Sequence, residues 1–114
     1  MGEREADEGR ARAALARMAR GDEGALEELY RRYAPAVLAF AAARLPDRQL
    51  AEEVAADVWL GCWRAAPAFR GASRVLTWLL GLATRPVYVR MRRIRPGACA
   101  PAAVEGQLAD AAGG

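Results

Sequence analysis

The chain has 114 residues, enough for one domain around one core, and its alanine-, leucine-, arginine- and glutamate-rich composition with few β-branched residues predicts an all-α fold. Histidine is absent and Cys62 and Cys99 are the only thiols, so a Cys/His zinc site and a disulfide framework are excluded and the usual general base is missing, although carboxylate chemistry stays open. The net charge of +3 hides a segregation: residues 1–57 hold 12 acids and 9 arginines, residues 58–104 hold 8 arginines and no acid, and residues 105–114 hold 2 acids.

Residues 1–9 carry Glu3, Glu5, Asp7 and Glu8 and almost no large apolar group, which predicts a disordered acidic leader and excludes a secretory signal. A short helix is expected over Ala11–Arg20, with Leu15 and Met18 on one face and Gly21 as its stop. Asp22 then offers an N-cap for the clearest amphipathic helix of the chain. In it Leu26, Leu29, Tyr30, Tyr33, Val37, Phe40 and Ala41 recur at three- and four-residue steps, opposite Glu27, Glu28, Arg31 and Arg32. Pro35 falls inside this pattern and is expected to kink or divide it.

Leu45-Pro46-Asp47 punctuates the chain before a third helix over about Gln49–Ala65. There Leu50, Val54, Val58 and Cys62 form one stripe, Trp59 and Trp63 a neighbouring one, and Glu52, Glu53 and Asp57 lie in the early turns favoured by the helix dipole. Cys62 reads as a small packed hydrophobe. Pro67 to Ala72 reads as a loop, with Ser73 able to cap a fourth helix that carries Val75, Leu76, Trp78, Leu79 and Leu82 toward Arg90, Arg92 and Arg93. Pro86 is expected to interrupt that helix. From Pro96 onward the composition is that of a linker or tail, which contains Cys99. The longest mostly apolar run, Val75–Ala83, falls short of the roughly 20 residues a bilayer requires, so a cytoplasmic protein without a membrane anchor is expected.

An arginine block without compensating carboxylates repels itself unless it is solvated or faces a polyanion, which makes nucleic acid a leading partner beside the plainer reading of a solvated basic face. Every cation is arginine. Its planar fork suits phosphates and base edges, and a GC-rich genome would also supply it.

Five fragments occur in a recognisable order. They are Gly21-Asp22 with Ala25–Pro35, Ala51-Glu52-Glu53-Val54, Asp57–Leu60 with Trp63-Arg64-Ala65, Phe69-Arg70-Gly71, and Thr77-Trp78-Leu79. Together they resemble region 2 of the extracytoplasmic-function (ECF) class of sigma factors, over about residues 13–93. The resemblance implies a compact bundle of about four helices of the sigma region 2 type, with a domain over 10–95 between the leader of 1–9 and the tail of 96–114. It implies a transcription initiation module, without catalytic residues, cofactor or metal, that docks on the β′ clamp helices of RNA polymerase core and recognises and melts the −10 promoter element. An anti-sigma factor is a further candidate partner.

Carried over by position, Glu53 and Asp57, with Trp59, resemble the polymerase-facing helix. Two carboxylates four residues apart share a helix face and could meet basic groups of a partner, or could be a solvated, dipole-favoured turn. The segment Phe69 to Ser73 resembles the loop that captures a flipped base of the non-template strand. In that reading Gly71 permits close approach, Ser73 donates or caps, and Arg70 and Arg74 hold phosphates; otherwise it is an ordinary interhelix turn with Phe69 stapled to the core. Trp78 joins the DNA-facing set by resemblance, although a tryptophan at this spacing is more often core than platform. Arg85, Arg90, Arg92 and Arg93 fall where the family grips the duplex upstream of the melted bases.

The chain departs from the family at four positions. Ala56 stands where glutamine is usual, Arg85 where asparagine is expected, Pro86 follows it, and Val89 replaces an aspartate. Base-specific reading by the last helix is therefore open. So is a second class of function, a sigma-like protein-interaction module that binds polymerase or an anti-sigma factor without opening DNA. A basic amphipathic helix for acidic lipid is a third and weaker reading, because the arginines gather at one helix end. Family members of this class also carry a second, helix-turn-helix domain, which nothing after Pro96 can form, so the chain is expected to be either an isolated region 2 cut within its linker, the favoured reading, or a natural single-domain variant working with a partner.

Overall fold

A computed structural model describes residues 2–94. Four α-helices account for most of them: α1 (Gly2–Ala19), α2 (Glu23–Ala42), α3 (Arg48–Ala65) and α4 (Val75–Ile94), with a single 3-10 turn at Ala66–Ala68. The described residues contain no strand, in agreement with the all-α bundle of about four helices expected from the sequence. Helix α3 lies at the centre, packed on α2 and on α4, while α1 covers α2 and the 3-10 turn.

Local chemistry explains where the helices begin and end. Gly21 takes φ 94, and the N–H groups of Gly21 and Asp22 donate to the carbonyls of Met18 (2.9 Å) and Arg17 (3.0 Å), the paired bonds of a Schellman stop that favours glycine. Asp22 at once caps α2, accepting from the amides of Gly24 (2.9 Å) and Ala25 (3.3 Å). Asp47 caps α3 through the Leu50 amide at 2.8 Å. The core is built from the expected stripes: Leu15 and Met18, Leu29 and Val37, Val54, Val58 and Cys62, and Val75 and Leu79 are all buried. Ala14, Ala25, Ala41, Ala51 and Ala83 are wholly buried between them, which lets the helix backbones approach closely.

Three expectations are corrected. Residues 2–9 are the first turns of α1 rather than a disordered leader. Asp7 pairs with Arg10 and with Arg32 of α2, and Glu8 reaches Arg12 and α4, so each acid has one partner within a turn and one distant partner that composition does not reveal. Neither proline divides its helix. Pro35 is exposed, where the carbonyl it leaves without a donor can be hydrated. At Pro86 the helix continues because both sides of it are anchored: Ala83, Thr84 and Val87 are buried, and Thr84 Oγ1 donates to the Gly81 carbonyl at 2.8 Å. That burial offsets the roughly 3 kcal/mol proline penalty. Last, Ser73 does not cap α4. Its hydroxyl donates to the Arg74 carbonyl (3.2 Å), and the cap is supplied by Glu8, whose Oε2 accepts from the Val75 amide at 3.0 Å.

Candidate nucleic-acid and partner interface

The loop between the 3-10 turn and α4 is held on both sides. Phe69 packs edge-on against Trp78, ring centroids 5.2 Å apart, and the Arg12 guanidinium lies over its ring, 5.6 Å from the centroid. Gly71 adopts φ 78, which other residues strongly disfavour, and a Cβ there would lie 2.6 Å from Arg12 Nη1. Arg12 donates to the carbonyls of Ser73 (3.0 Å) and Gly71 (3.4 Å) and to Glu8 at 2.9 Å. Arg74 lies 3.8 Å from Glu8. Among the described residues, the amides of Arg70 through Arg74 donate to no acceptor. Beside the loop, a cavity of about 460 Å³ is lined by Arg12, Arg20, Pro67, Phe69, Arg70 and Gly71.

Trp78, by contrast, is 3% exposed and is a core residue; it cannot offer a face to a base without leaving the core, which corrects its placement in the DNA-facing set. Arg85, Arg92 and Arg93 are exposed along the C-terminal half of α4 and pair with no carboxylate among the described residues. Arg92 lies 5.8 Å from the Tyr88 ring and donates to its hydroxyl at 3.3 Å.

Arg90 differs from these neighbours. Its side chain is only 15% exposed and spans to α3, where it meets Asp57 at 2.9 Å and Glu53 at 3.4 Å. A residue expected to face DNA and two expected to face polymerase therefore neutralise one another within the molecule. Trp59 is likewise turned inward, 9% exposed, with its ring edge-on to Tyr30 at 5.3 Å.

The surface that the sequence reading missed lies beside Trp59. Tyr30 and Leu60, each 51% exposed, are among the large apolar side chains left open to solvent. A groove of about 730 Å³ between α2 and α3 is lined by Tyr30, Pro35, Leu38, Glu52, Ala56 and Trp59. The available signal was weak: on α2, Tyr30 and Leu38 line this groove, whereas Leu29 and Val37 of the same helix are buried.

Cys62 is buried, and that burial pushes its thiol up to about 12, so it stays a neutral packing group, as expected. Cys99 lies outside the described residues. Among the described residues no three histidine, cysteine or carboxylate side chains come together in a way that could hold a metal ion, and no helix is long and apolar enough to cross a membrane.

The bundle thus presents exposed arginines on the C-terminal half of α4 and, beside the loop, a groove whose lining includes Arg12, Arg20 and Arg70. Residues 29–96, more than half of the chain, match the sigma-70 region 2 family model, and the chain belongs to that family. The family is a non-enzymatic transcription module that in general binds RNA polymerase core and recognises the −10 promoter element. No curated protein and no solved structure matches the chain.

Proposed function

We propose that this domain acts in promoter opening as the region 2 module of an ECF-type sigma factor, holding an unstacked base of the −10 non-template strand at the Phe69–Arg74 loop while polymerase core is engaged elsewhere on the bundle. The observation that carries this reading is the loop itself: a left-handed Gly71, backbone amides from Arg70 to Arg74 without protein acceptors, and an adjoining groove lined by arginines and Phe69. Taking a base out of the stack costs a few kcal/mol, and backbone donors plus stacking worth roughly 1 to 3 kcal/mol per base can offset it. Arg70 and Arg74 supply phosphate contacts beside the loop, and Arg85, Arg92 and Arg93 supply them along α4. Trp78 has no direct part in this scheme. Its role is to support Phe69 from below.

For the polymerase side, the groove of Tyr30, Trp59 and Ala56 offers apolar area next to Glu52 and the Arg90-bridged acids Glu53 and Asp57. Basic residues of the β′ clamp helices would compete with Arg90 for those acids. An anti-sigma factor would use the same face.

A fluorescence-anisotropy titration of the chain against a −10-like single strand and its scrambled counterpart, over a salt series, tests the DNA half. The expected outcome is tighter binding to the −10-like strand, with a salt slope that Arg74→Ala lowers by about 1. Equal affinity for both strands would sink it. An electrophoretic shift with core polymerase tests the other half, Asp57→Ala being expected to weaken the complex while Arg74→Ala leaves it intact. One observation favours the alternative, a sigma-like interaction module that does not open DNA. Arg90, the arginine at the centre of the basic stretch, is committed to Glu53 and Asp57. In that case core polymerase or an anti-sigma factor is bound and neither strand is preferred.

A further inference from the structure

We propose that Glu8 and Arg12 of α1 are positioning residues for the Phe69–Arg74 loop, fixing its backbone so that its amides are turned to nucleic acid rather than to the protein. The inference rests on the base-capture reading above. Both residues lie outside the stretch 29–96 that matches the family, and neither contributes to the apolar stripe of Ala11, Ala14, Leu15 and Met18 by which α1 docks.

The contacts divide the loop by polarity. Arg12 takes the carbonyls of Gly71 and Ser73 at 3.4 and 3.0 Å, while the amides of the same turn donate to no acceptor among the described residues. A single guanidinium fork thus holds the acceptor side of the backbone against α1 and leaves the donor side for a ligand rich in acceptors, such as a base edge or phosphate. Glu8 completes the clasp. It pairs with Arg12 at 2.9 Å and accepts from the Val75 amide at 3.0 Å, so the loop is closed at its C-terminal end by a helix cap supplied 67 residues away in the chain. With Glu8 neutralising it, Arg12 is engaged with the protein instead of a phosphate. Phe69, in contact with both Arg12 and Trp78, adjoins the same clasp. A loop ordered before binding loses less conformational entropy when the ligand arrives, and the gain falls on the ligand whose contacts the fixed geometry matches.

The test uses the full chain with Glu8→Ala, Arg12→Ala and the conservative Glu8→Gln, which keeps an acceptor for Val75. Two quantities are read: amide exchange at Val75, and the ratio of affinities for a −10-like single strand and its scramble over a salt series. Glu8→Ala is expected to speed Val75 exchange about fivefold, the fold-change that loss of one helix cap gives, and to shrink the affinity ratio roughly tenfold. Arg12→Ala is expected to shrink the ratio similarly with the salt slope unchanged, and Glu8→Gln to restore both readouts. The signs separate this role from simple electrostatics, since removing the Glu8 charge would otherwise tighten binding to both strands at a constant ratio. Unchanged exchange in both alanine variants overturns the clasp, and faster exchange with an unchanged ratio overturns the positioning role. If the wild-type chain does not distinguish the strands, the base-capture reading fails and with it the positioning role, while exchange at Val75 still decides the clasp.

Discussion

Arginine serves opposite ends on the two flanks of this domain. Along α1, Arg10, Arg12 and Arg17 each reach a carboxylate, and Asp7 and Glu8 extend those pairs to α2 and α4. On the C-terminal half of α4, Arg85, Arg92 and Arg93 meet no carboxylate among the described residues, and only Arg90 is drawn back to the protein by Glu53 and Asp57. A count along the chain treats residues 58–104 as a uniform block of eight uncompensated charges. In space, Glu8 lies near Arg74 and Glu53 and Asp57 hold Arg90, while Arg64, Arg70, Arg85, Arg92 and Arg93 pair with no carboxylate among the described residues. Surface that binds a polyanion is therefore defined by which arginines the fold leaves unpaired, not by how many there are.

The largest expected effect concerns the wall between these flanks. Trp78→Ala should lower unfolding free energy by about 3 to 5 kcal/mol, the range for truncating a buried aromatic, as read by denaturant titration. The milder Trp78→Phe should keep the fold and leave discrimination between a −10-like strand and its scramble unchanged. A Trp78→Phe variant of wild-type stability with weaker binding would return this residue to the DNA-facing set.

Next in size is the bridge on α4. A double-mutant cycle between Arg90 and Asp57 should return a coupling of about 0.5 to 1 kcal/mol, within the range for pairs with exposed partners and reduced by salt. On DNA, the paired and unpaired arginines of α4 should differ. Arg92→Ala and Arg93→Ala should each lower the salt slope of binding by about 1, whereas Arg90→Ala should leave it nearly unchanged. An equal drop for all three would mean that Arg90 leaves Glu53 and Asp57 when DNA arrives.

What could be read from the sequence was what neighbouring residues decide together. The stop at Gly21, the cap at Asp22 and the stripes through Leu29 and Val54 all depend on groups within a turn or two, and each is where the pattern places it. The loop at Phe69–Arg74 was legible from Pro67 and Gly71 for the same reason. What escaped is non-local. Glu8 caps Val75 across 67 residues and Arg90 reaches Glu53 across 37, so a window on the sequence shows an acidic leader, a basic tip and an acidic helix with no sign that they meet. Pro35 and Pro86 mislead in the other direction, because local propensity breaks a helix that hydration at exposed Pro35 and burial on both sides of Pro86 keep whole. The inward turn of Trp59 was equally hidden, since helical spacing fixes a face but not which neighbour covers it.

The smallest effect belongs to the corner where α1 meets α2. Arg17 donates to Glu28 (2.6 Å) and to Asp22 (3.1 Å); these two partners, Glu28 first, raise it above its ordinary value. The Arg17 hydrogen bond, with smaller help from the amides of Ala25 and Gly24, holds the Asp22 carboxyl below its ordinary value. A carboxylate depressed in the folded state stabilises the fold above its unfolded pKa, and that contribution fades as pH falls through the lower, folded value. Thermal unfolding followed from neutral to acid pH should therefore show a small loss of stability in the carboxylate range. Asp22→Asn keeps an oxygen for the α2 cap but gives up the charge, so its acid-side slope should be shallower while its helix content is unchanged. Because both partners are exposed, raised salt should erase most of the difference between the variant and the wild type. If the slope stayed the same, the pairing at this corner would be geometric only, and α1 would be held by its apolar stripe and the Glu8–Arg12 clasp.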